Sequence, residues 1–444
     1  MNYKELTIKL VDKCLKLGAD SAEVYLQTSR NLSIRARNAD IETIQEASSS
    51  GIGFRVIVDG KMGFSHCNDL SQKALDDTIS KAIAFARLTT PDDSNILTAD
   101  KGFTDVQGLY DPEIKTVSMD KKIEMALAIE GYAMSDKRIT HSSGSSFGER
   151  ESEIFIANSN GISKTYKSSM CSIGVGVVAE KGEQKRTGGE YCSRRYFSDL
   201  EPLDEIAGRA AEKACELLDP KMVKTQRASV IFDPDVAPSL LRGIITSLNG
   251  ERVLQGASFL QNSMNQQFAS NLLTLTDDGT IARRSASSPF DGEGVPTKKR
   301  VLIENGVLKG FIYNTQVATR AGVESTGNAS RGGYSSLPGI GTHNLYLAPG
   351  NHTKEQIIAA TGRGLLLRGV TGYGINPVNG NFSGGATGFW IENGQIAFPV
   401  EGLTIAGSAS QILNGIDMLG NDLDMNRTFA SPSFRIAEMQ IGGA

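Results

Sequence analysis

The segment "GFWIENGQIAFPV", Gly388 to Val400, predicts the local fold of the C-terminal half most directly. It contains two runs rich in aromatic and β-branched residues, and only Asn393 and Gly394 separate them. Both central residues of a two-residue β-turn need positive φ, which asparagine and glycine tolerate. The segment therefore predicts two antiparallel strands joined by a tight turn. Asn305-Gly306, between "RVLIE" and "VLKGFIY", predicts a second hairpin of the same kind.

The N-terminal half repeats one order of elements twice, at about residues 1–90 and 119–218. Each of these two stretches begins and ends with a segment whose apolar residues have helical spacing. Between them lie short segments in which apolar and polar residues alternate, such as "AEVYLQ", "LSIRAR" and "IETIQEA" in the first stretch. "GIGFRVIV" at 51–58 lines up with "SIGVGVVA" at 172–179, which suggests an internal duplication. Helices that flank runs of strands without strict alternation predict an α+β fold with mostly antiparallel sheets.

A polar link, "LDPKMVKTQRAS" at 218–229, separates the two halves. We therefore expect an N-terminal α+β domain at 1–220 and a β-rich C-terminal domain at 228–444. Two domains are also what a chain of 444 residues favours.

The charge balance of the chain argues against direct binding of nucleic acid. The chain has 46 basic and 50 acidic residues, for a net charge of -4, so it offers no basic footprint for direct nucleic-acid binding. The first residues lack the apolar core of a secretion signal, and no apolar run approaches the ~20 residues that span a bilayer. The five cysteines never form a C-x-x-C pair. We expect a cytoplasmic protein with reduced thiols and no membrane contact.

"GSSFG" at 144–148 has the form of a nucleophile elbow around Ser146. That motif needs a strand before it and a helix after it, whereas "ERESEIFIA", another strand pattern, follows here. A Gly/Ser hairpin loop is the interpretation we favour.

"SSPFDGEG" at 287–294 contains Asp291 and Glu293, two positions apart. In an extended segment the two carboxylates would share a face and could serve acid–base chemistry. In a glycine-bounded loop such residues more often cap backbone amides and meet solvent, and we favour this structural role.

The C-terminal half closely resembles the TldD/PmbA family, historically labelled modulators of DNA gyrase and described as metalloprotease subunits. The stretches that carry the resemblance include "STGNASRGG", "SSPFDGEGVPTKKRVLIENGVLKGFIYNT" and "GYGINPVNGNFSGGATGFWIENGQIAFPVEGLTIAGS". "GADSAEVYLQTSRNLSIRARN" and "GIGFRVIVDGKMGFS" extend it into the N-terminal half, so it covers nearly the whole chain.

The resemblance also separates two kinds of subunit. TldD-like subunits carry H-E-x-x-x-H on a helix, with a downstream cysteine as a further zinc ligand. The corresponding helix here, "LLRGIITSLNG", has Leu241, Arg242 and Thr246 at those three positions. Leucine has no lone pair, arginine cannot act as a base and threonine is a poor zinc ligand. The cysteine segment corresponds to "LDMNRTFASPSF", which has no cysteine. This pattern resembles the PmbA or TldE type of subunit.

By this resemblance we expect a non-catalytic partner subunit of a cytosolic zinc metalloprotease that helps to form a peptide-degrading chamber. The chain would hold no cofactor, and zinc would sit in a TldD-like H-E-x-x-x-H paralogue that forms a heterodimer with it; a homodimer is the other assembly considered. Small or unfolded peptides could add to a sheet edge. The candidate groove residues are Asn376, Asn379, Gly380, Ser383, Gly384, Gly385, Asp291 and Glu293.

Two alternatives stay open. The older family label implies a binding or regulatory protein that acts on DNA gyrase through protein contacts. An autonomous hydrolase could instead use Ser146 or the Asp291/Glu293 pair.

Overall fold

The computed structural model describes residues 2–372 and 374–443, and it confirms the α+β class. The described strands form two six-stranded sheets, one five-stranded sheet and one two-stranded sheet, in which most neighbouring strands are antiparallel. In the described part of the chain, no helix has the length and apolar character needed to cross a membrane.

The N-terminal half consists of two αβββα units that share one sheet. The first contains α1 (Tyr3–Lys16), β1 (Ser21–Arg37), β2 (Asp40–Val58), β3 (Lys61–Cys67) and α2 (Gln72–Leu88). The second contains α3 (Met119–Met134), β4 (Ile139–Asn158), β5 (Ser163–Lys181), β6 (Gln184–Arg194) and α4 (Leu203–Cys215), with a short 3-10 turn at Phe197–Asp199. The sheet order is β3-β2-β1-β4-β5-β6, so the two units meet at the antiparallel β1–β4 pair.

The strands of this sheet are longer than the short segments expected from the sequence. "AEVYLQ" and "LSIRAR" lie on one strand, β1, and "IETIQEA" and "GIGFRVIV" lie on β2. The two strands stay paired along their whole length, with a register shift between Arg35 and Ala36. Backbone pairing continues through the positions that the sequence pattern suggested as strand ends. At these positions the burial of the side chains changes, and the strand itself does not end.

The Gly/Ser hairpin loop predicted at 144–148 is wrong. These residues lie inside β4, paired with β1 on one side and β5 on the other. Gly144 has φ +101° next to a register shift, and Gly148 lets the Ser172 hydroxyl approach to 2.8 Å from where a Cβ would stand. Small residues here allow close strand contacts, and no helix follows Ser146, so a nucleophile elbow is also absent from this segment.

Helices pack on this sheet through the same contact in both units. A Cβ on Gly63 of β3 would lie 2.0 Å from the Ala82 carbonyl oxygen of α2 and 2.5 Å from the Ala86 amide nitrogen. A Cβ on Gly188 of β6 would lie 2.3 Å from the Ala210 carbonyl oxygen of α4. In each unit a glycine lets the backbone of the last helix rest directly on the edge strand.

The C-terminal half is built mainly from short strands. Its helices are α5 (Ala237–Ser247), α6 (Gly250–Leu254), α7 (Thr315–Ala321), α8 (Lys354–Ala359) and α9 (Ala409–Asn414). Its strands are β7 (Gln226–Phe232), β8 (Leu275–Asp278), β9 (Lys299–Glu304), β10 (Val307–Leu308), β11 (Ala329–Ser330), β12 (Gly339–Ile340), β13 (Asn344–Leu347), β14 (Arg363–Thr371), β15 (Asn381–Glu392), β16 (Gln395–Ser408), β17 (Ile416–Leu419), β18 (Phe429–Ala430) and β19 (Phe434–Gly442).

The main C-terminal sheet closes on itself. Its order is β16-β15-β14-β7-β19-β17, and β16 also pairs with β19, which makes a ring of five strands. Trp390 is buried among the apolar side chains of this half. The second sheet has the order β10-β9-β8-β13-β18. Both predicted hairpin turns are confirmed: φ is positive at Asn393 and Gly394, and at Asn305 and Gly306.

A buried group of four charged residues joins the two halves. Arg55 donates to Glu23 at 2.7 Å within the N-terminal sheet and to Glu293 of the C-terminal half at 2.9 Å. Arg331, in the C-terminal half, donates to the other carboxylate oxygen of Glu23. Burial alone would raise the pKa of Glu23, but the charges of Arg331 and Arg55 outweigh burial and lower it. We call these residues the interdomain ion network; the domain boundaries at 1–220 and 228–444 remain predictions.

Replacing Gly63 or Gly188 by alanine is expected to destabilise the fold by about 1–3 kcal/mol, because the new methyl group would overlap helix backbone. Urea unfolding measures the change. Gly208→Ala in α4 is the matched control: no atom lies within 4 Å of its added Cβ, so its expected effect is neutral or slightly stabilising. Wild-type stability of both strand variants would contradict the proposed helix–strand contact.

Arg55→Met is expected to lower the free energy of unfolding by about 3–5 kcal/mol, because it leaves two buried carboxylates without their shared partner. The control is Arg227→Met, whose ion pair with Glu438 is exposed and should contribute less than about 1 kcal/mol. Equal losses in the two variants would show that the network does not hold the halves together.

Candidate functional site

Helix α5 carries the three positions at which catalytic relatives are expected to bind zinc. Leu241 is 2% exposed and belongs to the apolar core, whereas Arg242 faces solvent. Thr246 is half-buried, and its hydroxyl donates to the Arg242 carbonyl oxygen at 3.3 Å. A zinc site needs several converging sulfur, nitrogen or carboxylate donors. These three side chains do not fit a zinc ion, since only the threonine hydroxyl has a lone pair to offer.

The residues around α5 offer no replacement set of ligands. Among the residues that the structure describes, no three His, Cys, Asp or Glu side chains are grouped so that they could hold a metal ion. In the segment that corresponds to the relatives' cysteine, Ser433 is fully buried, and its amide and hydroxyl both bond to Asp422, at 2.8 and 2.6 Å. Arg427 of the same segment pairs with Asp235, which lies just before α5. Serine–carboxylate and ion-pair contacts therefore connect this segment to its surroundings.

The structure places the predicted groove segment at 376–380 directly against α5. A Cβ on Gly243 would lie 1.6 Å from the Ile375 carbonyl oxygen, so helix and loop touch backbone to backbone. The Ser247 hydroxyl donates to the Pro377 carbonyl oxygen at 3.1 Å, and the Phe259 amide donates to the same oxygen at 2.9 Å. Two segments that lie about 130 residues apart in the sequence thus form one surface.

Asn376 and Asn379 shape this loop through their side chains. The Asn376 side-chain oxygen accepts from the amides of Val378 and Asn379, at 2.9 and 3.3 Å, and the Asn379 oxygen accepts from Asn381 at 3.0 Å. Gly380 has φ +74°, as a tight turn requires. Both asparagines are exposed, and these turn contacts use only their side-chain oxygens.

Ser383, Gly384 and Gly385 belong to β15, with β16 along one side. Gly385 pairs with Thr404 of β16 and with Thr371 of β14, and a Cβ on Gly384 would lie 2.6 Å from the Thr371 carbonyl oxygen. The two glycines thus allow the end of β14 to approach. At Gly385 both backbone edges are already paired, so a peptide could not add there as a further strand.

Asp291 and Glu293 cap backbone amides, as expected, but the expectation that they meet solvent is wrong. They are 5% and 0% exposed. The two Asp291 oxygens accept from the amides of Glu293, Val295 and Ala329 at 2.8–3.0 Å. Burial, and then the charge of Glu293, raise the pKa of Asp291 to about 7. Glu293 belongs to the interdomain ion network, which leaves no free carboxylate pair for acid–base chemistry.

The candidate groove residues therefore lie in two separate places. Asn376, Asn379 and Gly380 lie against α5, whereas Asp291 lines a cavity between the two halves that none of the residues at 376–385 reaches. Arg55 and Glu23 were not among the functional residues expected from the sequence. The signal was present, since each is a charged residue inside an otherwise apolar strand segment, which requires a buried partner.

Gly243→Ala is expected to destabilise the C-terminal half by about 1–3 kcal/mol and to expose the loop at 374–381, because the methyl group would displace the Ile375 carbonyl. Limited proteolysis followed by mass spectrometry locates the first cleavage. Gly362→Ala, where an added Cβ meets no atom within 4 Å, is the control. An unchanged cleavage pattern in Gly243→Ala would contradict the contact between helix and loop.

The chain is similar to known proteins over almost its full length. Three family models match: PmbA/TldA metallopeptidase domain 1 at 22–86, the central domain at 112–218 and the C-terminal domain at 225–443. The chain is 31% identical to the metalloprotease PmbA of Escherichia coli O157:H7, over 99% of this chain and 97% of that protein. It is 31% identical to a PmbA homologue of Haemophilus influenzae, over 98% and 94% of the two chains.

Two crystal structures are similar over almost their full length. One, from Bacteroides thetaiotaomicron and described as a modulator of DNA gyrase, has a TM-score of 0.91, 31% identity and 99% coverage of both chains. The other, TldE from Thermococcus kodakarensis, has a TM-score of 0.88 and 25% identity, over 98% of this chain and 99% of that one. With 98–99% of its length matched in sequence and in fold, the chain belongs to the PmbA/TldD family of metallopeptidases.

Proposed function

We propose that this chain is a non-catalytic partner subunit of a cytoplasmic zinc metalloprotease of the TldD/PmbA type. Its partner would be a TldD-like paralogue that carries H-E-x-x-x-H on the helix equivalent to α5 and holds the zinc ion. This chain would form part of the wall of the chamber in which small or unfolded peptides are cleaved. A heterodimer is the smallest assembly that this division of labour allows.

One observation carries the proposal. The scaffold around α5 is complete, while the three positions that correspond to H-E-x-x-x-H carry side chains that do not suit a zinc site. The helix is closely packed, with Gly243 against Ile375 and Ser247 bonded to Pro377. Leu241 lies in the apolar core. Arg242 is a cation, which repels a metal ion and cannot accept a proton. A well-packed helix without metal-binding side chains suits a subunit that has a structural role in the complex.

The buried state of the carboxylates supports the same proposal. Asp291 and Glu293 are occupied by backbone amides and by Arg55. Ser146 lies within a paired strand, and none of the described residues hydrogen-bonds to its hydroxyl. The autonomous hydrolase considered from the sequence would therefore lack an activated nucleophile at either place.

The experiment is reconstitution with the H-E-x-x-x-H paralogue from the same genome. We expect the purified chain alone to bind no stoichiometric zinc and to cleave no peptide, and the mixture to assemble and to cleave unfolded peptides in a chelator-sensitive way. Metal content is measured by inductively coupled plasma mass spectrometry, assembly by size-exclusion chromatography with light scattering, and cleavage by chromatography of peptide products.

Two variants sharpen the reconstitution. Arg242→Ala in the mixture should retain cleavage within about twofold, because the proposal gives Arg242 no part in the chemistry. Ser146→Ala should retain it as well. Peptide cleavage by the lone chain that survives chelation and is lost in Ser146→Ala would defeat the proposal.

A further inference from the structure

A cavity of about 340 Å³ lies between the two halves, away from α5. The N-terminal sheet contributes one wall through β1, β4 and β5, and the C-terminal half contributes the loops at 286–292, 329–333 and 341–343. The side chains that matter for its chemistry are Tyr25, Arg150, Tyr166, Asp291 and His343. This volume is at the lower end of small-molecule pockets, which suits one or two residues of a peptide.

Three hydrogen-bond donors of the N-terminal wall have no partner within the described residues. Arg150 is exposed and pairs with no acidic side chain, unlike Arg55 and Arg331, which are held by Glu23. Tyr25 and Tyr166 line the same cavity, and none of the described residues accepts a hydrogen bond from either hydroxyl group. These three residues of the cavity wall can therefore donate to a ligand.

The opposite wall presents a hydrogen-bond acceptor. His343 Nδ1 lies 3.2 Å from the Asp277 carboxylate, which is 1% exposed and also accepts from the His343 amide at 2.7 Å. In the tautomer that carries its proton on Nδ1 and donates it to this carboxylate, Nε2 is a hydrogen-bond acceptor. Nε2 has no partner in the described part of the chain and is not enclosed, so it can meet a ligand N–H.

The carboxylate that lines the cavity does not oppose an anionic ligand strongly. Asp291 is 5% exposed, and both of its oxygens already accept backbone amides. Its pKa is raised to about 7 by burial and then by Glu293, which reduces its negative charge near neutral pH. Arg150 is therefore a cation of the cavity wall that no carboxylate of the described residues neutralises.

We propose that this cavity binds the free carboxyl terminus of a peptide. The carboxylate would accept hydrogen bonds from Arg150, Tyr25 and Tyr166, and the amide of the terminal residue would donate to His343 Nε2. A peptide terminus supplies both an anionic acceptor and an N–H donor, which matches the two walls. The assignment rests on the proposed function, because it names the end of the substrate that this subunit would hold.

The test is calorimetric titration of the full chain with three probes: N-acetyl-trialanine as the free acid, the same tripeptide as its amide, and inorganic phosphate. We expect the acid to bind at least tenfold more tightly than the amide, since a charge-assisted contact is lost in the amide. Equal affinity for acid and amide, or no binding of the acid, overturns the proposal. Binding of phosphate without binding of the acid also overturns it and assigns the cavity to free phosphate.

Two variants locate the binding. Arg150→Met should weaken binding of the acid about tenfold or more and leave the weak binding of the amide unchanged. Tyr166→Phe keeps the ring that packs edge-to-face on Phe290 at 5.1 Å, so it removes only the hydroxyl and should also weaken acid binding. Arg35→Met, at an exposed arginine of the same sheet outside the cavity, is the matched control and should bind as wild type. Wild-type affinity in both cavity variants contradicts the assignment.

The two proposals fail separately. If the lone chain distinguishes acid from amide but the mixture with the paralogue does not cleave peptides, the subunit function fails while the cavity still binds a carboxylate. If the mixture cleaves peptides but the lone chain binds acid and amide alike, the subunit function stands and the carboxyl-terminus site is wrong.

Discussion

The interdomain ion network places the strongest constraint on this molecule. The side chains of Glu23, Arg55, Glu293 and Arg331 are almost fully removed from water, and the Arg55–Glu293 and Arg331–Glu23 pairs form only when the two halves are together. Removing one charge while the halves stay together would leave its partner buried and unpaired, which costs several kcal/mol. Arg195 adds hydrogen bonds from the N-terminal half to the carbonyl oxygens of Arg284, Ser285 and Ser287. The cavity beside this network therefore keeps its two walls in a defined relation.

Around α5 the fold and the chemistry are determined by different atoms. Backbone contacts, such as that between Gly243 and the Ile375 carbonyl, hold the helix and the 374–381 loop together. Metal chemistry depends only on the side chains that the helix presents. Replacing those side chains by Leu241, Arg242 and Thr246 removes the donors and leaves the packing complete, which is how one member of this family can keep the scaffold without the zinc-binding residues.

The N-terminal half shows that local pattern and backbone pairing are separate properties. Side-chain burial changes along β1 and β2 while the strands continue, because α1 and α2 cover one end of the pair, whereas the first half of β2 is exposed. The glycine–alanine contacts of Gly63 and Gly188 are equivalent in the two units, although the surrounding sequences have little in common. A close approach between helix and strand needs only a small residue on each side.

The sequence by itself determined the α+β class, the two hairpin turns at Asn305-Gly306 and Asn393-Gly394, and the family, because these depend on local backbone preference and on long specific motifs. It also determined that the positions at 241, 242 and 246 lack zinc donors, since this is a matter of residue type. Only the tertiary structure decided that Asp291 and Glu293 are buried and occupied, and that Arg55 meets Glu293 across 238 positions of sequence. The same holds for the separation of the groove residues into two places and for the cavity between Arg150 and His343. Burial and long-range pairing are properties of which segments meet, and no local pattern in the chain specifies those meetings.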